Sequence, residues 1–153
     1  MSNAADAAAA DIPSGFAALP IGGHFMAVNG PLYVRTAAGR AQLGFRVQQR
    51  HTNPLNNCHG GMLASFADML LPVCIHRQSD VGHRFLPTIS LQIDYLAPAP
   101  LGAWVQGEAE VLRVTRTMVF AQGVARADDT RVIRVSGIFK IGQPFNRPVE
   151  PAG

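Results

Sequence analysis

The sequence predicts an α+β domain in which a curved antiparallel sheet of five to six strands wraps around one central helix. Several segments alternate apolar and polar residues, which is the pattern of half-buried strands. One long segment is apolar on every helical face, as expected for a helix surrounded by protein. The chain has 153 residues, of which 48% are hydrophobic and 15% charged, so it is long enough for one domain with its own core.

The strands are predicted from alternation and from the turns that separate them. Residues 31–36 form a hairpin with residues 42–48, because Leu43, Phe45 and Val47 alternate with polar residues or glycine. The sequence "APAPLG" turns the chain before three further strands, and "DDT" is a tight turn between the last two. These three strands are predicted at residues 103–114, 117–127 and 131–141.

The segment at residues 88–96 alternates most regularly. Its apolar residues are predicted to face one way, and they are Ile89, Leu91, Ile93 and Tyr95. Its polar residues are predicted to face the other way, and they are Thr88, Ser90, Gln92 and Asp94.

The central helix is predicted from Gly60 to Arg77, and it is apolar on all faces. Pro72 lies inside it and cannot donate to the carbonyl of residue 68, so the helix should kink or end nearby.

The predicted domain covers residues 16–142, between a mobile N-terminal arm at residues 1–15 and an irregular C-terminal tail at residues 143–153. Because such a sheet has open edges, two copies are expected to pair edge to edge.

Composition argues against several classes of partner. Thirteen basic and ten acidic residues give a formal net charge of +3, without a basic cluster interleaved with aromatic residues, so nucleic acid is not expected. A small anionic ligand with a few phosphates fits the charge better.

The sequence contains no run of about 18 apolar residues, which is the length that would be needed to span a membrane. Two cysteines do not make a disulfide framework, so a cytoplasmic location is predicted.

Gly60 and Gly61 lie where the helix begins, directly after His59. The first amides of a helix have no intrahelical acceptor and carry the positive end of the helix dipole. Glycine allows a ligand to approach that backbone closely. A carbonyl oxygen there would be polarised, and the oxyanion of an acyl-transfer intermediate would be stabilised more strongly. A plain pair of turn glycines is the alternative interpretation.

Asp68 is the stronger sign of chemistry. Burying a carboxylate is costly unless it is paired or has a chemical role, and removal from water makes a carboxylate a better base. The alternative is a structural pairing with a buried arginine or hydroxyl. Gly60 and Asp68 are eight residues apart, which is about 12 Å on a helix. If both act on one carbon atom, Asp68 must meet the Gly60 amide of a second copy across a two-fold axis.

Two residues before the helix are further candidates, although a structural role is the simpler interpretation of each. Asn53 could donate to a carbonyl, and His59 could orient Asn53 or the loop. Cys58 is a poor nucleophile candidate, because its neighbour His59 is badly placed to activate it. The other histidines, at positions 24, 51, 76 and 83, have no metal-binding spacing, so no metal site is predicted.

The pattern N-x5-HGG-x6-D at residues 53–68 resembles the signature of the hotdog-fold acyl-CoA thioesterases of the phenylacetate-pathway (PaaI-like) branch. The sequence "TISLQIDYLAPAP" is similar to the strand that follows the helix in that family, which usually has Ser or Thr at the Thr88 position. The resemblance extends over roughly residues 30–141. It implies a hotdog fold and a homodimer that assembles further into a homotetramer.

The resemblance also implies a division of roles. The amide at the Gly60 position polarises the thioester carbonyl, and Asn53 and His59 support it from the same chain. Asp68 of the partner chain acts as general base on water or as nucleophile, and the Thr88 hydroxyl helps to hold the water. Coenzyme A lies along the dimer surface, where Arg113 and Arg116 are candidates for its phosphates; solvated strand-end charges are the alternative. The predicted substrate-binding set also includes Gly61 and an apolar wall of Met62, Phe66, Met69 and Leu70.

The resulting prediction is a cytoplasmic thioesterase that hydrolyses a medium-chain or aryl acyl-CoA to the acid and free coenzyme A, with no metal or redox cofactor. A hotdog enoyl-thioester hydratase is an alternative, but its acid–base motif is not found in the sequence. A non-catalytic module that binds acyl-CoA or an aromatic ligand is a second alternative. A general β-rich lipid carrier is a third, and it would not need the "HGG" helix start.

Overall fold

The computed structural model describes residues 11–145, which form a seven-stranded antiparallel sheet and two α-helices. The strands are β1 (Ala17–Ala18), β2 (Tyr33–Ala37), β3 (Arg40–Arg46), β4 (Thr88–Tyr95), β5 (Trp104–Val114), β6 (Met118–Ala127) and β7 (Thr130–Lys140). The helices are α1 (Gly23–Asn29) and α2 (Gly60–Gln78). The order across the sheet is β1-β2-β3-β5-β6-β7-β4, and each neighbouring pair is antiparallel.

The predicted α+β architecture is confirmed, with two additions. All six predicted strands and the long helix are present. The seventh strand, β1, has two residues, which is too short for alternation to be detected. Helix α1 has seven residues, fewer than two full turns of apolar periodicity, and it was not predicted.

Helix α2 lies across the sheet and packs against β3, β4, β5, β6 and β7. Its sheet-facing residues, including Phe66, Leu70 and Leu71, have no exposed surface. Glycines in the sheet permit this close approach. An added Cβ at Gly107 would lie 2.7 Å from a methyl carbon of Leu70, and one at Gly137 would lie 2.7 Å from a methyl carbon of Leu71.

The opposite face of α2 is only partly covered within one chain, so the prediction of a helix buried on all sides is wrong for the single chain. Asp68, Met69 and Pro72 are half-buried, and His76 is exposed. The helix continues six residues beyond Pro72 to Gln78, so it does not end near Asp68 as one of the two expectations had it.

Strand β4 forms one edge of the sheet, because it pairs only with β7 among the described strands. Several apolar side chains near this edge are exposed: Ile89 at 53%, Tyr95 at 54% and Leu96 at 52%. An open edge with apolar side chains is a surface that natural proteins cover. The predicted dimer stays a prediction that this edge favours.

The described parts of the two predicted tails contact the domain. The Arg46 guanidinium donates to the carbonyl of Asp11, and Arg35 donates to the carbonyl of Ser14 at 3.1 Å. The amide of Phe85 donates to the carbonyl of Gln143 at 2.8 Å. The remaining tail residues, 1–10 and 146–153, lie outside the described residues, and the predicted domain boundaries stay predictions.

Neither helix within residues 11–145 has the length and hydrophobicity needed to cross a membrane.

We expect Gly137→Ala to destabilise the protein by about 1–3 kcal/mol, because the new methyl group would overpack the contact between α2 and the sheet. The added Cβ would lie 2.7 Å from carbon atoms of both Leu71 and Phe139. Chemical denaturation measures the change. Ser136→Ala is the matched control on the neighbouring exposed position, where a change within about 0.5 kcal/mol is expected. Equal stability of the two variants would contradict the tight helix–sheet contact.

Candidate active site

The start of α2 leaves one backbone amide available. The Nδ1 atom of His59 accepts a hydrogen bond from the Gly61 amide at 2.8 Å. The carbonyl of His59 accepts from the amides of Met62 at 2.9 Å and Leu63 at 3.1 Å. The Gly60 amide has no acceptor within residues 11–145. His59 therefore caps the helix in a way that leaves the Gly60 N–H as the free donor at its positive end.

Tyr95 supports the same helix start from β4. Its hydroxyl donates to the carbonyl of Gly60 at 2.7 Å, and a Cβ added at Gly60 would lie 3.4 Å from its ring. In the sequence, Tyr95 was predicted as an apolar residue of the alternating strand and was not predicted at the site. The signal was present, since alternation puts Tyr95 on the side of β4 that carries Leu91 and Ile93.

Asp68 and Thr88 form the second half of the candidate site. The Thr88 hydroxyl donates to Oδ1 of Asp68 at 2.6 Å, which leaves Oδ2 of the half-buried carboxylate without a partner among the described residues. The pairing with a hydroxyl is one of the structural alternatives that the sequence left open. One hydroxyl donor orients a carboxylate, while its second oxygen can still accept a proton.

The predicted orientation of Thr88 was wrong, and a bulge in β4 explains why. Thr88 pairs with Phe139 and Ser90 pairs with the adjacent Ile138, so Ile89 is an extra residue in the ladder. The extra residue moves Thr88 to the opposite side from the one that strict alternation assigns. Thr88 therefore faces the helix and reaches Asp68.

The two half-sites lie apart within one chain. Gly60 and Asp68 are on the same helix, and its rise separates them by about 12 Å. A single substrate carbon cannot contact both. Within one chain the structure thus brings Asp68 together with Thr88, and Gly60 together with His59 and Tyr95.

Asn53 shapes the loop before the helix. Its side-chain oxygen accepts from the amides of Leu55 at 3.0 Å and Asn57 at 3.2 Å, which is the geometry of an Asx turn. Its side chain makes no bond to His59 in this structure, while its Nδ2 group has no partner among the described residues. Asn53 therefore holds the loop and retains a free donor.

The cysteine thiols are buried. Burial raises the pKa of Cys58 to about 12 and that of Cys74 to about 11. A thiolate nucleophile is therefore disfavoured at neutral pH. Within residues 11–145, no group of three or more His, Cys, Asp or Glu side chains could hold a metal ion.

The predicted apolar wall is divided by the structure. Met62 borders a cavity of about 290 Å³ beside the helix start. Phe66 and Leu70 are fully buried between helix and sheet, where the Phe66 ring lies 5.1 Å from that of Phe45. Both belong to the core of the single chain and offer no surface to a ligand there, contrary to the prediction. A helix apolar on all sides does not reveal which side meets the sheet.

Arg113 and Arg116 are exposed near the end of β5. Strand register runs from Thr88 on β4 through β7 and β6 to Val114 on β5. The two arginines therefore lie at the Thr88 end of the sheet and far from Gly60 of the same chain.

Two cavities flank helix α1. The smaller one, of about 290 Å³, is lined by Phe25, Asn29, Arg50, His51, His59, Gly61, Met62 and Ser65. The larger one, of about 640 Å³, has a mostly aliphatic wall that includes Leu19, Ile21, Met26 and Leu32. Arg50 borders both cavities.

His51 links the elements around the helix start, and it was not among the predicted site residues. Its Nδ1 accepts from the Gln48 amide at 3.1 Å, and its Nε2 lies 2.6 Å from the carbonyl of Asn29, where it donates. Its own carbonyl accepts from the amide of His59 at 2.7 Å. Burial, together with the nearby charge of Arg50, lowers the pKa of His51. The neutral ring therefore joins α1, the end of β3 and the loop that leads to α2.

The sheet that wraps a central helix, with a free amide at the helix start and a carboxylate two turns later, matches the hotdog fold. The family model described as thioesterase superfamily matches residues 55–134, more than half of the chain. The chain belongs to this superfamily, which confirms the predicted family and hotdog fold.

Relatives and solved structures agree with this assignment. A Pseudomonas aeruginosa protein named "Putative esterase" is 25% identical over 132 residues, which are 86% of this chain and 98% of that protein. Human acyl-coenzyme A thioesterase 13 is 29% identical over 89 residues, which are 57% of this chain and 61% of that protein, so the match spans less than two thirds of its length. The phenylacetic acid degradation protein PaaI from Thermus thermophilus, solved as a mutant, superposes with a TM-score of 0.64 at 23% identity. That superposition covers 76% of this chain and 96% of that chain, and it shows the fold.

The lowered pKa of His51 predicts a pH-dependent stability. The unfolded chain binds a proton at this residue near pH 6.5, whereas the folded protein does so only at lower pH, because burial removes the charged ring from water and the nearby Arg50 charge repels it. The stabilisation that comes from the neutral His51 ring should therefore be fully present above about pH 6.5, and it should be lost as the pH falls through the folded-state pKa. Denaturation midpoints at several pH values between neutral and mildly acidic conditions measure the trend.

The His51→Gln variant should be less stable at neutral pH and lose less stability on acidification. His24→Gln, at an exposed position on α1, is the matched control and should keep the wild-type trend. Parallel curves for the wild type and His51→Gln would refute the role given to the neutral ring.

Proposed function

We propose that this chain hydrolyses acyl-CoA thioesters to a carboxylic acid and free coenzyme A. The hydrogen bond between Thr88 and Asp68 is the observation that carries the proposal. It orients a carboxylate on a helix face that one chain leaves partly uncovered. Membership in the thioesterase superfamily supports this reaction class, and the name of the human relative supports coenzyme A as the thiol.

The proposed site is shared by two chains. A two-fold axis that pairs the α2 helices in antiparallel orientation would bring Asp68 of one chain to Gly60 of its partner. The distance of about 12 Å between the two positions on one helix requires a second chain if both groups act on one carbon. The exposed apolar side chains near the open edge of β4 favour the same pairing. Further assembly into a homotetramer is part of the proposal.

The proposed chemistry needs only these groups and water, without a metal or redox cofactor. The Gly60 amide donates to the thioester oxygen, and the developing negative charge strengthens that hydrogen bond. With Asp68 as general base, the carboxylate takes a proton from water while the water oxygen attacks the carbonyl carbon. The C–S bond then breaks, and the sulfur leaves as the coenzyme A thiol with the proton. Attack by Asp68 itself is the alternative, in which water hydrolyses the resulting anhydride.

The surroundings are assigned supporting roles in the same proposal. Asn53 and His59 hold the loop and the helix start, and Thr88 orients Asp68 and the water. The location of Arg113 and Arg116 at the Thr88 end supports contact with the phosphates of coenzyme A bound at the site of the same Asp68. A medium-chain or aryl acyl group would contact Met62 and Gly61. The two buried, unpaired cysteines fit a reducing cytoplasm.

We expect Asp68→Asn to lower turnover at least ~10²-fold, because the amide can neither accept the proton of water nor attack the carbonyl. Thiol release from acyl-CoA substrates measures the effect, and binding of coenzyme A should change little. Asp129→Asn, on the exposed β6–β7 turn and without a side-chain partner among the described residues, is the matched control and should be fully active. Wild-type turnover in Asp68→Asn would remove Asp68 from the mechanism.

The Gly60 amide can be deleted with little change to the fold. Proline is favoured at the first position of a helix, and the preceding His59 has φ −58° and ψ 137°, which a residue before proline can adopt. Gly60→Pro should lower turnover ~10²–10³-fold by removing the oxyanion donor. Gly60→Ala retains the N–H and is the matched control; its methyl group would lie 3.4 Å from the Tyr95 ring, an ordinary contact.

Mixing the two inactive variants tests the shared site. A heterodimer of an Asp68→Asn chain with a Gly60→Pro chain keeps one intact site, formed by Asp68 of one chain and Gly60 of the other. Thiol release should therefore reappear after subunit exchange. No activity in a mixture whose heterodimers are demonstrated by mass spectrometry would exclude the cross-chain geometry.

A further inference from the structure

The smaller cavity opens beside the group that would polarise the thioester. One of its lining residues is Gly61, the neighbour of Gly60, and another is the capping residue His59. Its volume of about 290 Å³ lies at the small end of ligand-binding pockets. An acyl group attached to a carbonyl at Gly60 would therefore enter this cavity first.

Arg50 is held in place at the wall of this cavity. Its Nη1 group donates to the side-chain oxygen of Gln48, and its Nη2 group donates to the carbonyl of Gly30. A guanidinium has five N–H donors, so three remain: the Nε–H and one on each terminal nitrogen. Two anchoring hydrogen bonds fix the plane of the guanidinium, which reduces the entropy lost when a ligand binds to it.

The other polar groups of the cavity do not neutralise Arg50. None of the eight lining residues is acidic. The Ser65 hydroxyl donates to the carbonyl of Gly61 at 2.9 Å, and the side-chain amide of Asn29 donates to the carbonyl of Phe25 at 2.8 Å. The cavity thus combines a positive charge and free N–H donors with the apolar side chains of Phe25 and Met62. This combination complements a ligand with an apolar middle and a negative end.

We propose that Arg50 selects acyl groups that carry a carboxylate at their far end, so that half-thioesters of dicarboxylic acids with coenzyme A are favoured substrates. This inference rests on the proposed function and names its substrate class. The planar guanidinium matches the two oxygens of a carboxylate, and such charge-assisted pairs are stronger than neutral hydrogen bonds.

The test compares two substrates of equal chain length, hexanoyl-CoA and the half-thioester of adipic acid with coenzyme A. The wild-type kcat/KM should be higher for the adipoyl substrate. In Arg50→Gln the ratio of the two kcat/KM values should fall at least ~10-fold, as expected for loss of a hydrogen-bonded charge. Arg50→Lys should retain part of the preference. Arg131→Gln, an exposed arginine on β7 without a side-chain partner among the described residues, should retain all of it.

A binding measurement separates failure of this inference from failure of the proposed function. Analogues of both substrates with methylene in place of sulfur cannot be hydrolysed, and calorimetry gives their Kd values. Tighter binding of the adipoyl analogue that depends on Arg50 would support the selectivity even if no substrate released thiol. Three results would overturn the proposed selectivity: equal kcat/KM for both substrates, a ratio unchanged in Arg50→Gln, or a preference for lauroyl-CoA. A preference for lauroyl-CoA would assign the acyl group to the larger aliphatic cavity.

Discussion

The fixed rise of an α-helix sets the main constraint on this protein. Gly60 and Asp68 belong to one helix, and about 12 Å separates them whatever the rest of the chain does. Each therefore has its own local environment. Tyr95 bonds the Gly60 carbonyl and His59 bonds the Gly61 amide, whereas Thr88 contacts the carboxylate. A second chain in antiparallel orientation is the simplest way to turn two incomplete halves into two complete sites.

The cap at the start of α2 determines which donor is available. A serine or aspartate cap accepts from the second or third amide of a helix and leaves the first amide free. Here the imidazole of His59 takes the Gly61 amide, and its carbonyl takes the next two, so one N–H is left over. His51 in turn fixes His59 through a backbone hydrogen bond. The Gly60 amide, the first of the helix, is thus the donor that this cap leaves free.

The sequence was sufficient for the architecture, because alternation and helix length are local signals. The spacing of Asn53, the glycines and Asp68 is also a local signal, and it selected the candidate site residues, whose roles stay predictions. Prediction from the sequence failed where long-range packing determines the orientation or contacts of a residue. The bulge at Ile89 reverses Thr88, and alternation cannot detect an inserted residue. Phe66 was predicted to contact the substrate because α2 is apolar on every side. Only the packing of α2 against the sheet shows that Phe66 belongs to the core. Likewise, the contacts of His51 join segments more than 20 residues apart, and no local pattern indicates them.

Strand β4 connects the stability of the fold to the proposed chemistry. It runs alongside α2 and is tied to it at both half-sites, through Tyr95 at one end and Thr88 at the other. It is also the edge strand whose outer hydrogen-bonding groups lack a partner strand among the described residues of one chain. A partner that covers this edge would restrict the motion of β4, and therefore hold Asp68 and the Gly60 carbonyl in fixed geometry. A preorganised arrangement is what electrostatic stabilisation of an oxyanion requires. The same pairing would then bury apolar surface near the edge and order both halves of the site, so assembly and catalysis would depend on one strand.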